Sequence, residues 1–141
     1  EQKELYDRVD DAVCAVRSAL EEGILSGAGK SLYEISFDKM LGDKLINEYD
    51  IACKIFKKAL QEPLTQILRN AGLSVEDIYN GEEANGFGYN LKTMEMGDLI
   101  LMGVIDPLKV TRSALQNAVS VATTILSTNA IITMARTYES Q

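Results

Sequence analysis

The stretch of residues 86–106 constrains the fold most, because glycine, aromatic and polar residues there interrupt an otherwise helical pattern. Long irregular segments in compact domains are usually functional or disordered, and this one carries too many apolar residues to be disordered. It ends at Asp106 and Pro107, which are typical of the N-cap and first position of a helix, since a carboxylate accepts from unpaired backbone N–H groups and proline has no N–H. The sequence therefore predicts a shaped loop that leads directly into a long final helix.

Apolar residues at helical spacing predict helices over most of the remaining chain. The first helix has one apolar face and ends at Gly23, where glycine suits a left-handed C-terminal residue. Its apolar face consists of Leu5, Val9, Val13, Val16 and Leu20. Pro63 is expected to break a second helical region in two, and Ser74 and Asp77 have the spacing of a capping box. The other predicted helices are residues 31–40, 44–61, 64–71, 74–79, 94–102 and 107–127.

Short strands are predicted at two places, residues 87–90 and residues 131–134. A turn is expected at Asn80 and Gly81, between the helical part and the glycine-rich loop. The final helix is rich in small residues and lacks a broad polar face, so we expect it to be buried at the centre of the domain. The predicted fold class is therefore mainly α, with several helices and one or two short β strands.

Composition restricts the possible functions. A chain of 141 residues suits a single domain, and its net charge of −7 disfavours binding to nucleic acid or to an anionic membrane. The absence of histidine removes the usual general base and zinc ligand, and no metal site is predicted. Cys14 and Cys53 lie in apolar helical patterns, so we expect buried free thiols and a reducing compartment. Without a secretory signal or an apolar run long enough to span a bilayer, we expect a soluble, intracellular protein.

Residues 23–31 resemble a phosphate-binding loop without matching it. Gly29, Lys30 and Ser31 supply the end of that motif, but Gly23 and Gly29 are separated by five residues where a P-loop has four. A helix rather than a strand is predicted before the segment. A glycine-bearing turn between helices is therefore the favoured interpretation, and Lys30 is expected to be a surface residue.

Several motifs in one order resemble the C-terminal part of a group I chaperonin, the GroEL type. They are RVDDA at 8–12, EEG at 21–23, EPL at 62–64, GYN at 88–90, GVIDP at 103–107 and KVTRSAL at 109–115. The resemblance implies that residues 1–22 form a helix of the intermediate, or hinge, domain. Residues 23–141 would form the C-terminal half of the equatorial nucleotide-binding domain. The chain also begins inside a helical pattern, which suggests a piece of a longer protein.

The resemblance also implies site residues. Asp11 corresponds to the hinge-helix aspartate that helps to activate the attacking water, although its pattern alone favours a solvated acidic side chain. Gly27 and Ala28 correspond to a segment that approaches the nucleotide, and Ala28 replaces a glycine. Asp106 corresponds to the aspartate that accepts hydrogen bonds from the ribose. Asn90, Leu91 and Lys92 correspond to the segment that lines the base and ribose, where the family more often has small residues at the last two positions.

The implied function is that of a subunit fragment of an ATP-dependent folding chaperonin, in the cytoplasm or alternatively in the mitochondrial matrix or plastid stroma. Its cofactor would be ATP, with magnesium and potassium ions held by the N-terminal half of the subunit. Its partners would be other subunits in a ring, with co-chaperonin and unfolded proteins bound by the apical domain. This segment alone is predicted to have no ATPase activity. A self-contained helical interaction module without enzymatic activity is the alternative, and a P-loop enzyme fails on spacing.

Overall fold

A computed structural model describes residues 2–38, 41, 47–79 and 85–133. These residues form five helices and two small antiparallel sheets of two strands each, so the prediction of a mainly α fold is confirmed. In chain order the elements are α1 (Gln2–Glu22), β1 (Ile24–Ser26), α2 (Lys30–Ile35), α3 (Glu48–Asn70), α4 (Val75–Ile78), β2 (Phe87–Asn90), β3 (Glu95–Asp98), β4 (Ile105–Pro107) and α5 (Leu108–Leu126).

Helix α1 follows the predicted pattern and ends at Gly23, which has a left-handed φ of 94°. The amide of Gly23 donates to the carbonyl of Ala19 at 2.8 Å and closes the last turn. No residue of α1 is buried, and its apolar face, from Leu5 to Leu20, is exposed in the described part of the chain. Cys14 lies on this exposed helix, so the prediction that it is a buried thiol was wrong, whereas Cys53 is buried as predicted.

Helix α3 runs through Pro63 without a break, and the predicted division at this residue was wrong. Leu60, Leu64 and Leu68 lie four residues apart on one face and are nearly fully buried. Burial of this face stabilises one continuous helix and offsets the backbone hydrogen bond that proline cannot donate. At its start, Asn47 caps the helix by accepting from the amide of Asp50 at 3.0 Å. The predicted start at residue 44 lies outside the described residues.

The C-terminal half of α3 packs against α4 and the residues around it. Leu64, Leu68 and Tyr79 form a buried cluster, and five partly buried residues pack on it: Tyr33, Leu73, Val75, Ile78 and Leu91. Ser74 accepts from the amide of Asp77 at 3.2 Å, so the cap predicted for α4 is confirmed. The turn predicted at Asn80 and Gly81 lies outside the described residues.

Strands β2 and β3 form a hairpin in which Phe87 pairs with Asp98 and Tyr89 with Met96. The predicted strand at residues 87–90 is confirmed, but the predicted helix at residues 94–102 was wrong. Met94 adopts a left-handed φ of 59°, which does not fit a helix. The residues after it pair as a strand instead, with Gly97 opposite Gly88. The carboxylate of Asp98 then ends the strand by accepting from the amides of Ile100 and Leu101.

Helix α5 packs on α1 and β4, but none of its residues is buried. The prediction that it lies at the centre of the domain was wrong, because no described element covers the face that carries its small residues. Its N-cap residue is Pro107, with the helix beginning at Leu108. Residues 131–133 form no strand and are exposed, which contradicts the strand predicted there, and Met134 lies outside the described residues.

Candidate functional site

A two-stranded ladder brings two distant segments of the chain together at the candidate site. Strand β1 pairs antiparallel with β4, with Leu25 opposite Asp106. The ladder is extended on one side by Gly27, whose amide donates to the carbonyl of Val104 at 2.9 Å. On the other side the amide of Leu108 donates to the carbonyl of Gly23 at 3.0 Å. The turn that follows β1 is therefore held next to Asp106, although the two segments are far apart in sequence.

The turn after β1 has an unusual backbone. Ala28 and Gly29 both adopt left-handed conformations, with φ of 56° and 73°, and the amide of Lys30 donates to the carbonyl of Gly27 at 3.0 Å. A Cβ at position 29 would lie 2.9 Å from the backbone nitrogen of Leu64, so a larger residue would collide with α3. Glycine is required at position 29, whereas Ala28 keeps its methyl group at the cost of about 1 kcal/mol of backbone strain.

A large apolar cleft opens beside this turn, between α5 on one side and α2 and α3 on the other. Its volume is about 940 Å³, at the upper end of the range for small-molecule sites. The α5 wall is built from the small residues noted in the sequence, including Ala114, Ala118 and Ala122. Polar groups are few and lie mainly at the end near the turn, where Ser26, Ser31 and Asp106 contribute to the lining.

Asp106 contributes an acidic side chain to the lining of the cleft. Burial raises the pKa of its carboxyl group, and no hydrogen-bond donor in the described part of the chain offsets that effect. The predicted role as N-cap of the last helix was wrong, since Asp106 lies in β4 and α5 has no side-chain cap. Its carboxylate is therefore not occupied by capping and presents a strong acceptor at the edge of an apolar cleft.

Asn90, Leu91 and Lys92 lie at the turn of the β2–β3 hairpin and do not line the cleft. The side-chain oxygen of Asn90 accepts from the amide of Lys92 at 3.0 Å, which fixes the turn. Leu91 packs on the buried cluster around Leu64, and Lys92 is exposed. The structure therefore places these three residues on a different sheet from Asp106.

Asp11 lies on the exposed part of α1, separated from the other candidate residues. It precedes Glu22 by eleven residues, which corresponds to about 16 Å along the helix axis. The structure therefore joins Gly27, Ala28 and Asp106 into one region and leaves Asp11 on a neighbouring helix. Among the described residues, no group of three or more acidic or cysteine side chains is arranged to hold a metal ion.

Lys30 is the functional candidate that the sequence analysis missed. It was predicted to lie on the surface, but only 4% of the residue is exposed. Its ammonium group lies 3.5 Å from the carboxylate of Glu34 and 4.7 Å from the ring centre of Tyr79. The spacing of Lys30 and Glu34, four residues apart on α2, was a signal for an ion pair, but burial of the lysine depends on the distant Tyr79.

A comparison of the chain with models of protein families identifies its family. The model of the TCP-1/cpn60 chaperonin family matches residues 1–136. The chain therefore belongs to the TCP-1/cpn60 chaperonin family. Membership supports a chaperonin-type function in protein folding and, in general, assembly with other subunits. Within the described ranges, no helix has the length and apolar character needed to cross a membrane.

Proposed function

We propose that the chain is the C-terminal part of a group I chaperonin subunit and forms the ribose and base side of its ATP site. Residues 1–22 would belong to the hinge domain, and residues 23–141 would form half of the equatorial domain. This assignment rests on the order of the six motifs, on family membership over residues 1–136 and on the arrangement of the cleft.

The observation that carries this proposal is the position of Asp106 beside the turn formed by Gly27 and Ala28. The β1–β4 ladder holds both at one end of the cleft, and the carboxylate of Asp106 has no capping role. A carboxylate accepts hydrogen bonds, and the two hydroxyl groups of a ribose donate them. The adjoining apolar surface can exclude water from these hydrogen bonds and strengthen them. Asp106 and the adjoining apolar surface therefore fit the ribose of a nucleoside.

Other parts of ATP would be held elsewhere in the subunit. By the chaperonin resemblance, magnesium and potassium ions and the phosphates would be bound by the N-terminal half. Asp11 would supply a carboxylate that accepts a proton from the attacking water when the hinge helix approaches the nucleotide. Asn90, Leu91 and Lys92 would contact the base and ribose from the hairpin. ATP supplies the phosphoanhydride bond whose hydrolysis drives the folding cycle.

A self-contained interaction module remains the second candidate, and exposed apolar surfaces favour it. Val13 and Leu20 on α1 are 54% and 84% exposed, and Leu126 at the end of α5 is 85% exposed. Apolar surface of this extent usually marks a site that a partner covers. In the chaperonin proposal, the partner that covers these surfaces also completes a nucleotide pocket. In the interaction module, it does not.

Binding of magnesium ADP to the complete subunit, measured by titration calorimetry, tests the proposal. We expect Asp106→Asn to weaken binding about tenfold or more, because a hydrogen bond to a charged acceptor is lost. Asp7→Asn, at an exposed position on α1, serves as the matched control and should bind like the unmodified protein. Equal affinity in the Asp106 variant, or no binding by the unmodified subunit, would favour the interaction module.

A further inference from the structure

The buried side chain of Lys30 lies in a pocket formed by an acid and two aromatic rings. Its Nζ is 3.5 Å from Oε1 of Glu34, 4.7 Å from the ring centre of Tyr79 and 5.5 Å from that of Tyr33. An ammonium group that loses its water needs such partners, because an isolated buried charge is strongly unfavourable. The position of Lys30 is therefore closely determined by this pocket.

The same pocket holds strand β2 by its backbone. Oε1 of Glu34 accepts from the amide of Gly86 at 2.7 Å, and the hydroxyl of Tyr79 accepts from the amide of Tyr89 at 3.1 Å. Between these two points, a Cβ on Gly88 would lie 2.6 Å from Leu99 and 3.1 Å from the Tyr79 hydroxyl. The strand is thus held near both of its ends and packed closely in the middle.

Lys30 also closes the turn beside Asp106. Its amide donates to the carbonyl of Gly27 at 3.0 Å, and the next turn of α2 begins with the amide of Tyr33 donating to Gly29 at 3.1 Å. Lys30 therefore closes the turn of residues 27–29, here called the glycine turn, through its backbone. Its side chain contacts Glu34 and Tyr79, which hold the β2–β3 hairpin.

We propose that Lys30 is a positioning residue that fixes the glycine turn relative to Asn90 at the end of β2. This role rests on the proposed function, in which both segments contact one nucleotide. Lys30 does not line the cleft, so it acts through the placement of other groups. Without its charge, the Glu34 carboxylate loses the cation beside it, and the support of Gly86 and Tyr89 weakens. The separation between the two nucleotide-binding segments is then less strictly defined.

The test uses the complete subunit, with magnesium ADP as the binding probe and magnesium ATP for turnover. Lys30→Met keeps the length of the side chain and removes the charge, and Lys30→Arg restores a cation. Lys58→Met, on the exposed side of α3, is the matched control. We expect Lys30→Met to raise the Kd for ADP and the KM for ATP about tenfold. The kcat should change less than about twofold, because ground-state and transition-state binding are lost equally. Lys30→Arg should recover most of the affinity.

Hydrogen exchange without nucleotide provides a second readout that does not depend on ATP binding. The amides of Gly86 and Tyr89 should exchange faster in Lys30→Met than in Lys58→Met. A purely structural role would lower kcat through loss of folded protein and leave KM unchanged, and that result would overturn the inference. Unchanged ADP affinity in Lys30→Met, with normal binding by the unmodified subunit, would overturn the inference about Lys30 and leave the proposed function intact. Failure of the unmodified subunit to bind ADP would overturn the proposed function as well.

Discussion

Glu22 and Arg112 form a bidentate ion pair that joins the last turn of α1 to the first turns of α5. Nη2 of Arg112 lies 2.6 Å from Oε1 of Glu22, and Nε lies 3.0 Å from Oε2. Lys109 and Glu21 form a second ion pair beside it. Since α5 follows directly from β4, these pairs set the direction of the helix that carries Asp11 relative to the strand that carries Asp106. They connect the helix of the proposed catalytic residue to the segment of the proposed ribose-binding residue through side chains.

The ion pair predicts a specific pH dependence of stability. The hydrogen bond from Arg112 lowers the pKa of Glu22 from its ordinary value of 4.5, so the folded protein binds this proton more weakly than the unfolded chain. The stabilisation is therefore complete above the unfolded pKa and is lost as the pH falls through the lower, folded pKa. Urea unfolding of Glu22→Gln should show a destabilisation at pH 7 that diminishes as the pH falls below the ordinary glutamate value of 4.5.

The size of this effect should be modest, because the pair is exposed to solvent and screened by salt. Glu95→Gln, at an exposed position on β3, provides the control and should show no such pH-dependent difference. A destabilisation of Glu22→Gln that stays constant between pH 3 and pH 7 would show that the ion pair is not its cause.

The buried face of α3 predicts a large effect of core truncation. Leu64 is only 2% exposed and lies in the cluster with Leu68 and Tyr79. Leu64→Ala should lower the free energy of unfolding by about 2–5 kcal/mol, as expected for a buried leucine that leaves a cavity. Leu101→Ala, at a position that is 86% exposed, should change it by less than about 0.5 kcal/mol. Equal effects in chemical denaturation would contradict the described core.

Two glycines with similar backbone angles should respond differently to alanine. Gly72 has a φ of 77° and open space around it, so Gly72→Ala should cost about 1–2 kcal/mol from the left-handed conformation alone. Gly29 has a φ of 73°, and a Cβ there would meet the backbone of α3. Gly29→Ala should therefore cost roughly 2–5 kcal/mol, since overpacking adds to the strain. Urea unfolding of both variants measures the difference, and equal costs would argue against the close contact with α3.

The two cysteines should differ in reactivity toward a thiol reagent under native conditions. Cys14 is exposed on α1, and Cys53 is buried in α3. We expect one thiol to react rapidly and the second to react only on unfolding, because a reagent must reach the sulfur. Peptide mapping of the labelled protein should assign the rapid reaction to Cys14. Rapid labelling of Cys53 would contradict the burial of that part of α3.

Local signals in the sequence predicted several elements correctly. Gly23 ends α1, Ser74 caps α4, and the alternation of residues 87–90 forms β2. Each depends on neighbouring residues alone, such as a left-handed glycine or a hydroxyl three residues before an amide. The pattern of the chain was sufficient for these elements.

The errors arose where distant residues decide the structure. Helix α3 continues through Pro63 because a buried leucine face offsets the missing hydrogen bond, and β3 forms because β2 is available as its partner. Lys30 is buried because Tyr79 covers it. Family resemblance gave Asp106 and Gly27 as candidate site residues. Their proximity depends on the pairing of β1 with β4, and β1 was not predicted. Pairing across such a sequence separation has no local signal.

The structure of the complete subunit bound to magnesium ADP, determined by crystallography or electron microscopy, tests the central claim most directly. We expect the carboxylate of Asp106 to lie within hydrogen-bond distance of the ribose hydroxyls. Gly27, Ala28 and Asn90 should contact the same nucleotide. A nucleotide bound elsewhere, or side chains of Asp106 and Asn90 that face unrelated sides of the subunit, would contradict the account.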